Sequence, residues 1–222
     1  MRNNLINSYH SKLVADQEKT NKVFLSQRVF MTVNRFLELF TGQTLSGRIL
    51  DLGCGDGSFV DYCNNHNLDA KGVDIADGID FESDKLPYRD NQFSFVFMGS
   101  VLEHLNNPSN ILNEVKRVLV KGGVLIVITP NIDRVKFHFY DDPTHVRPYN
   151  PTNISRLMEM FGFKRIAIGL WTVGKSSFVW KWPLELQFLY GRLLPFAGLN
   201  KQAPSFLRGK SKTMLCAFRK EK

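Results

Sequence analysis

The stretch Arg48-Ile49-Leu50-Asp51-Leu52-Gly53-Cys54-Gly55-Asp56-Gly57-Ser58-Phe59-Val60 constrains this chain more than any other. An apolar run from Ile49 to Leu52 stands between Gly47 and three alternating glycines. That pattern suits a short interior strand of a parallel sheet, a sharp turn and the opening of a helix. Gly53, Gly55 and Gly57 lack Cβ atoms, so the backbone can bend tightly and a ligand can approach the main chain. In open α/β sheets, ligands sit beyond the carboxyl ends of the strands, where this turn falls. The turn therefore predicts a small-molecule site. A phosphate-binding loop would end in Gly-Lys-Ser/Thr, and no lysine is present; the dinucleotide fingerprint needs a glycine where Ser58 stands.

The chain downstream adds to that site. Lys71-Gly72-Val73-Asp74-Ile75 reads as a second strand ending in an acid. Asp74 follows Asp51 at about the 20-residue interval that sets a carboxylate on ribose hydroxyls in nucleoside-binding α/β folds. Phe93 to Met98 reads as a third strand, running into Gly99-Ser100-Val101-Leu102-Glu103-His104. A helix from Pro108 to Leu119 carries the apolar stripe Ile111, Leu112, Val115, Val118 and Leu119, and Lys121-Gly122-Gly123 closes it. Val124 to Thr129 is a buried strand ended by Pro130-Asn131, and Pro151 to Phe161 is a further helix.

Four motifs in order, Asp51-x-Gly53-x-Gly55-x-Gly57, the acid Asp74, Leu86-Pro87-Tyr88 with Phe93-Ser94-Phe95-Val96, and Gly-Gly-strand-Thr129-Pro130-Asn131, resemble the class I S-adenosylmethionine-dependent methyltransferases. The likeness is to members of methyltransferase types 11 and 23. Ser94 departs from the family, which usually has Asp there. The resemblance implies an α/β, Rossmann-like doubly wound sheet of seven strands, mostly parallel with an antiparallel last strand. That strand would be Thr213 to Arg219, preceded by Arg165 to Trp171. The implied cofactor is S-adenosylmethionine, held by Asp51, Gly53, Cys54, Gly55, Gly57, Asp74, Ile75, Asp80, Phe81, Gly99 and Ser100. Asp80 or Glu82 would face adenine; Phe81 would stack on the base or belong to the core.

The acceptor side is expected in residues 137–149, which follow the Thr129-Pro130-Asn131 strand end. A hydroxyl acceptor usually needs a base, and histidine is the side chain best suited to that role at neutral pH. His145 is the first candidate as base or orienter, with Asp142 and His104 as further catalytic candidates and Arg147 for a carboxylate or phosphate. The competing reading makes His145 and His104 hydrogen-bonding pins. A metal held by Glu103, His104 and one of Asp141 and Asp142 ranks lower, and no metal is expected. Asp142-Pro143-Thr144-His145-Val146-Arg147-Pro148-Tyr149 with the helix after it resembles methyltransferases of surface-polysaccharide biosynthesis.

Residues 1–47 read as a helical preface, either a lid closing with Tyr9 or His10 or simple outer packing; residues 48–222 form the catalytic domain. The net charge of +8 is concentrated late, with twelve basic residues against two acids from Lys164 onward. Within that part, residues 178–208 form a basic, aromatic insertion with Trp180, Trp182 and several leucines. It reads as an interfacial segment (about 178–212) for an anionic membrane or lipid-phosphate acceptor, or as an added subdomain or dimer face. A nucleic-acid partner is disfavoured, because the body is slightly acidic and no Asn/Asp-Pro-Pro-aromatic motif occurs. Three scattered cysteines, no signal-peptide core and no bilayer-length apolar run predict a cytoplasmic protein, membrane-associated if the insertion docks. The preferred function is O-methylation of a sugar hydroxyl in a surface glycan or lipid-linked saccharide. The alternatives are O- or C-methylation of a quinone or small aromatic, and a non-catalytic cofactor-binding scaffold.

Overall fold

The computed structural model describes residues 19–171, 182–197, 204 and 207–221. Tyr9, His10 and Trp180, singled out above, lie outside them. The elements that build the site are helix α1 (Lys19–Thr41), strand β1 (Arg48–Leu52), helix α2 (Ser58–Asn64), β2 (Asp69–Val73), β3 (Phe93–Gly99), α3 (Ser109–Val118) and β4 (Leu119–Pro130). After the short turn of helix α4 (Ile132–Val135) come α5 (Pro151–Met160), β5 (Phe163–Trp171), α6 (Leu184–Leu193), β6 (Phe196–Ala197), β7 (Arg208–Lys210) and β8 (Thr213–Lys220).

The main sheet has the order β2-β1-β3-β4-β8-β5. β1 pairs in parallel with β2 and β3, and β3 with β4; β8 is antiparallel to both β4 and β5. Both faces are covered, as the near-continuous apolar strands require. Leu50, Leu52, Val96, Met98, Leu125 and Val127 pack with α3 and α5 on one face. Ile49, Phe95, Phe97, Ile126 and Ile128 pack with Val33, Phe36 and Leu37 of α1 and with Phe59 and Cys63 of α2 on the other. The preface is thus a packed helix, pinned at its exit where Leu45 N donates to Asn34 Oδ1 at 2.6 Å.

Among the described residues the main sheet has six strands rather than the seven expected. In the segment between β2 and β3, aspartate side chains take up backbone donors that a ladder would need. Asp74 caps a 3₁₀ turn over Ile75–Asp77, Asp80 accepts from Glu82 N at 2.8 Å, and Asp84 accepts from Asp80 N at 2.8 Å. Gly122-Gly123 also plays a different part from the one predicted. Helix α3 ends at Val118, and the register jumps from Phe93↔Leu119 to Phe95↔Val124, so the glycines form a bulge inside β4. A Cβ on Gly123 would stand 2.9 Å from Val120 O.

In the region of the insertion, α6 leads into a two-stranded parallel pair, β6 with β7. Leu186, Leu189 and Leu193 are exposed. No helix among the described residues is long and apolar enough to cross a membrane.

Arg117 on α3 holds the loop between β2 and β3. It grips Glu114 through two nitrogens at 2.9 and 2.6 Å, Asp90 at 2.7 Å, and the carbonyls of Tyr88 and Leu86 at 2.8 and 3.1 Å. Glu114 Oε2 also accepts from Leu86 N at 2.8 Å. The Arg117 hydrogen bond holds the Glu114 carboxyl below the usual range, so this pairing contributes fully above that range and is lost as acid protonates the folded carboxylate. Arg117→Met is expected to lower stability by about 2–4 kcal/mol at neutral pH. The deficit should shrink on acidification, as read from urea midpoints.

Candidate active site

The glycine turn takes the conformation its composition allows: Gly53, Gly55 and Gly57 have φ of +77°, +55° and +76°. Gly53 also lies against Val101, whose Cγ2 would stand 2.4 Å from an added Cβ. Gly53 N donates to Val73 O at 2.8 Å, so the turn is fastened to the end of β2. Beside it opens a cavity of about 360 Å³. Its floor is Asp51, Gly53 and Cys54 with Gly99, Ser100 and Ile128 at the ends of β3 and β4; Leu25, Ser26 and Val29 of α1 lie across it. Three residues of α1 thus belong to the cavity lining.

Asp51 is almost fully buried, and burial, with Asp74 adding to it, pushes its carboxyl up to about 7. Burial lifts the Cys54 thiol to about 12, reinforced by Asp51 and Asp74, which makes it a poor nucleophile. Asp74 accepts from Gly55 N at 3.0 Å and from Ala76 N at 3.1 Å, one bond on each oxygen. Each oxygen keeps a second lone-pair site. Asp74, Ile75, Asp80 and Phe81 do not line the cavity. Ile75 opens the turn that Asp74 caps. Phe81 is buried in the core. Of the two acids offered to adenine, Asp80 caps its own turn, and Glu82 is engaged by Asn106 N, Asn106 Nδ2 and Asn107 N.

The predicted acceptor-side residues converge behind Ser100. Ser100 itself holds a left-handed φ of +55°, a conformation that costs energy for a residue with Cβ. Glu103, at 0% exposure, accepts from Thr129 Oγ1 through Oε2 at 2.9 Å, while Oε1 has no hydrogen-bond partner. Burial pushes its carboxyl up to about 7, with Asp142 adding to the shift. The Glu103 carbonyl accepts from Val146 N at 2.9 Å and Arg147 N at 3.1 Å, which clamps the 142–147 loop onto the β3 end. The His104 and His145 rings lie 4.9 Å apart, and His145 stacks on Phe139 at 4.6 Å.

The neighbours of both imidazoles fix their tautomers. His145 Nδ1 is 2.8 Å from Phe139 O, which can only accept, so Nδ1 carries the proton. His104 Nδ1 is 2.9 Å from Thr144 Oγ1 and 3.3 Å from Thr144 O, and that hydroxyl donates to Asp142 Oδ1 at 2.6 Å. His104 Nδ1 is therefore also a donor. In both neutral rings the basic nitrogen is Nε2. Burial opposes ionisation of Asp142, but Thr144 and the two histidines hold its carboxyl below the usual range. Arg147 donates to Asn106 O. Asp141 pairs instead with exposed His138 at 2.9 Å.

A methyltransferase-domain family model matches residues 24–168, from the preface helix into β5. The chain belongs to the class I S-adenosylmethionine-dependent methyltransferases. It is 28% identical over 138 residues to an uncharacterised protein of Methanocaldococcus jannaschii, covering 54% of this chain and 66% of that protein. It is 30% identical over 125 residues to the ubiquinone/menaquinone biosynthesis C-methyltransferase UbiE of Desulfotalea psychrophila, covering 47% and 51%. The matched part is thus less than two thirds of either relative. An S-adenosylmethionine-dependent methyltransferase of Archaeoglobus fulgidus shares the fold, with a TM-score of 0.55 and 19% identity over 88% of this chain and 94% of that one. The family's cofactor is S-adenosylmethionine.

Sequence reasoning missed Leu25, Ser26 and Val29 in this methyltransferase, because their role depends on how α1 crosses the turn. It also missed Thr129 and Thr144, whose hydroxyls orient Glu103 and His104 across large sequence separations.

Two expectations follow for the cofactor side. Asp74→Ala should weaken S-adenosylmethionine about tenfold or more in calorimetry, since it frees a charge-assisted bond that shapes the turn; unchanged affinity would refute the role. For Asp51, the folded carboxyl keeps its proton at pH values where the unfolded one has released it. Stability is therefore lost as pH rises from the usual aspartate range to about 7. The urea midpoint of Asp51→Asn should gain on that of the wild type between about pH 4 and about pH 8. A constant difference would contradict the burial.

Proposed function

We propose that the protein transfers the methyl group of S-adenosylmethionine to a sugar hydroxyl of a surface glycan or lipid-linked saccharide. The observation that carries this reading is the pair His104 and His145, 4.9 Å apart between ring centres and each with Nδ1 held as donor, on the segments that follow β3 and β4. A sulfonium methyl group needs chiefly in-line positioning. A hydroxyl additionally needs a group that takes or displaces its proton. Two exposed rings in the loop before His145 support an acceptor rim there: Phe137 is 89% and Tyr140 57% exposed. Lys136, which starts that turn, has φ of +52° and ψ of −134°, a strained geometry of the kind that clusters at ligand clamps. The likeness of residues 142–149 to polysaccharide-associated methyltransferases supports the same acceptor.

A lipid-linked acceptor would bring the protein to a membrane. Exposed Leu186, Leu189 and Leu193 fall at helical spacing on one side of α6, next to Arg192 and within the basic part of the chain. The likeness to UbiE favours a second reading, methylation of a quinone.

Labelled cofactor incubated with saccharide, quinone-lipid and RNA fractions distinguishes these acceptors. Label is expected in saccharide. Label in quinone selects the second reading, and none anywhere selects the scaffold. His145→Ala should cut turnover by about 100-fold or more with cofactor affinity unchanged; a fully active variant would leave His145 only a pin. Vesicles containing anionic lipid should carry the intact protein upward in flotation, and a leucine-to-serine triple variant of α6 should stay behind. Flotation of neither protein would remove the membrane contact.

A further inference from the structure

We propose that Glu103, His104 and His145 bind one divalent transition-metal cation, and that this cation grips the acceptor hydroxyl. The second half rests on the hydroxyl reading above. One ligating atom from each of the three side chains can be chosen so that all lie within 4.8 Å of one another. Donors sharing one ion of this size stand about 3–3.5 Å apart, so binding asks for an inward adjustment of roughly 1 Å.

Three further features point to a cation. First, both histidines have the tautomer that metal ligation requires. His145 donates from Nδ1 to Phe139 O, and His104 donates from Nδ1 to Thr144, which in turn donates to Asp142. Holding Nδ1–H with a carbonyl, or through a hydroxyl to a carboxylate, is how proteins orient ligating imidazoles. Second, Glu103 is completely buried and its Oε1 has no hydrogen bond of good geometry; the Thr129 and Ser100 hydroxyls only partly offset the burial of its charge. A buried, unpartnered carboxylate oxygen is costly unless something supplies charge or a proton to it. Third, a second carboxylate adjoins the cluster, with Asp142 Oδ2 4.0 Å from His145 Nε2. None of the ion pairs among the described residues brings a lysine or arginine to either carboxylate.

The donor set selects the kind of ion. Two imidazoles argue against magnesium and calcium, which favour oxygen; two nitrogens and a carboxylate suit zinc, manganese, cobalt or iron(II). Three protein ligands leave coordination positions open. A hydroxyl bound at one of them would lose its proton to solvent more readily. The oxygen then bonds to the methyl carbon as the carbon–sulfur bond breaks, its electron pair staying on sulfur.

The test uses the intact chain, stripped with a chelator and titrated with Mn²⁺ while the free aquo ion is followed by electron paramagnetic resonance. About one ion per chain is expected. His145→Ala and His104→Gln should abolish this binding, and Thr144→Val, which removes the hydroxyl linking His104 to Asp142 but no ligand, should weaken it about 10–100-fold. Cofactor affinity, measured by calorimetry, should be unchanged in all three, which also reports that each variant is folded. Absence of a bound ion in the wild type, or equal binding in the histidine variants, would overturn the metal centre. A bound ion without labelled saccharide would uphold the centre and remove the acceptor reading. Labelled saccharide made equally well by stripped protein that binds no ion would do the reverse.

Discussion

The site depends first on parallel register. β1, β3 and β4 run side by side with Leu52 opposite Met98 and Gly99 opposite Ile128. Their carboxyl ends consequently finish at one level, and the turns that leave them face a common space. The glycine turn contributes backbone, the Ser100 segment contributes Glu103 and His104, and the segment after Pro130 contributes His145. A slip of one residue at any of these pairings would move a whole strand's side chains to the opposite face. The apolar layers on both sides of the sheet make such a slip expensive, so core packing fixes the geometry of chemistry carried by polar residues.

Two carboxyls sit in that space under a constraint opposite to that of Glu114 on α3. Burial pushes Asp51 and Glu103 up to about 7, whereas the Arg117 hydrogen bond holds Glu114 below the usual range. Position relative to the strand ends, more than residue type, decides which acids serve the site. It also explains why the acids of the 74–84 segment are largely occupied with backbone amides. They serve turn formation between β2 and β3.

Much of this was legible in the sequence because it is written locally. The β1 turn, the stripe on α3 and the apolar run of β4 are each contained in a dozen residues or fewer, and periodicity or glycine spacing exposes them. The meeting of His104 with His145 was not legible, since nothing in their separate motifs links them. What stayed hidden depends on side chains meeting across the fold: Thr129 with Glu103, Thr144 with His104, and α1 over the glycine turn. Gly122-Gly123 shows a different limit. A glycine pair after a helix reads the same whether it caps that helix or forms a bulge in the next strand, and only the pairing of β3 with β4 decides.

β8 lies between β4 and β5 and is antiparallel to both. It follows every other strand in sequence, yet it is an interior strand. During synthesis from the amino end, β4 has no neighbour on its outer side and β5 has no sheet to join until residues 213–220 have left the ribosome. The domain therefore closes late, and its two latest-paired edges stay open to wrong partners while translation continues.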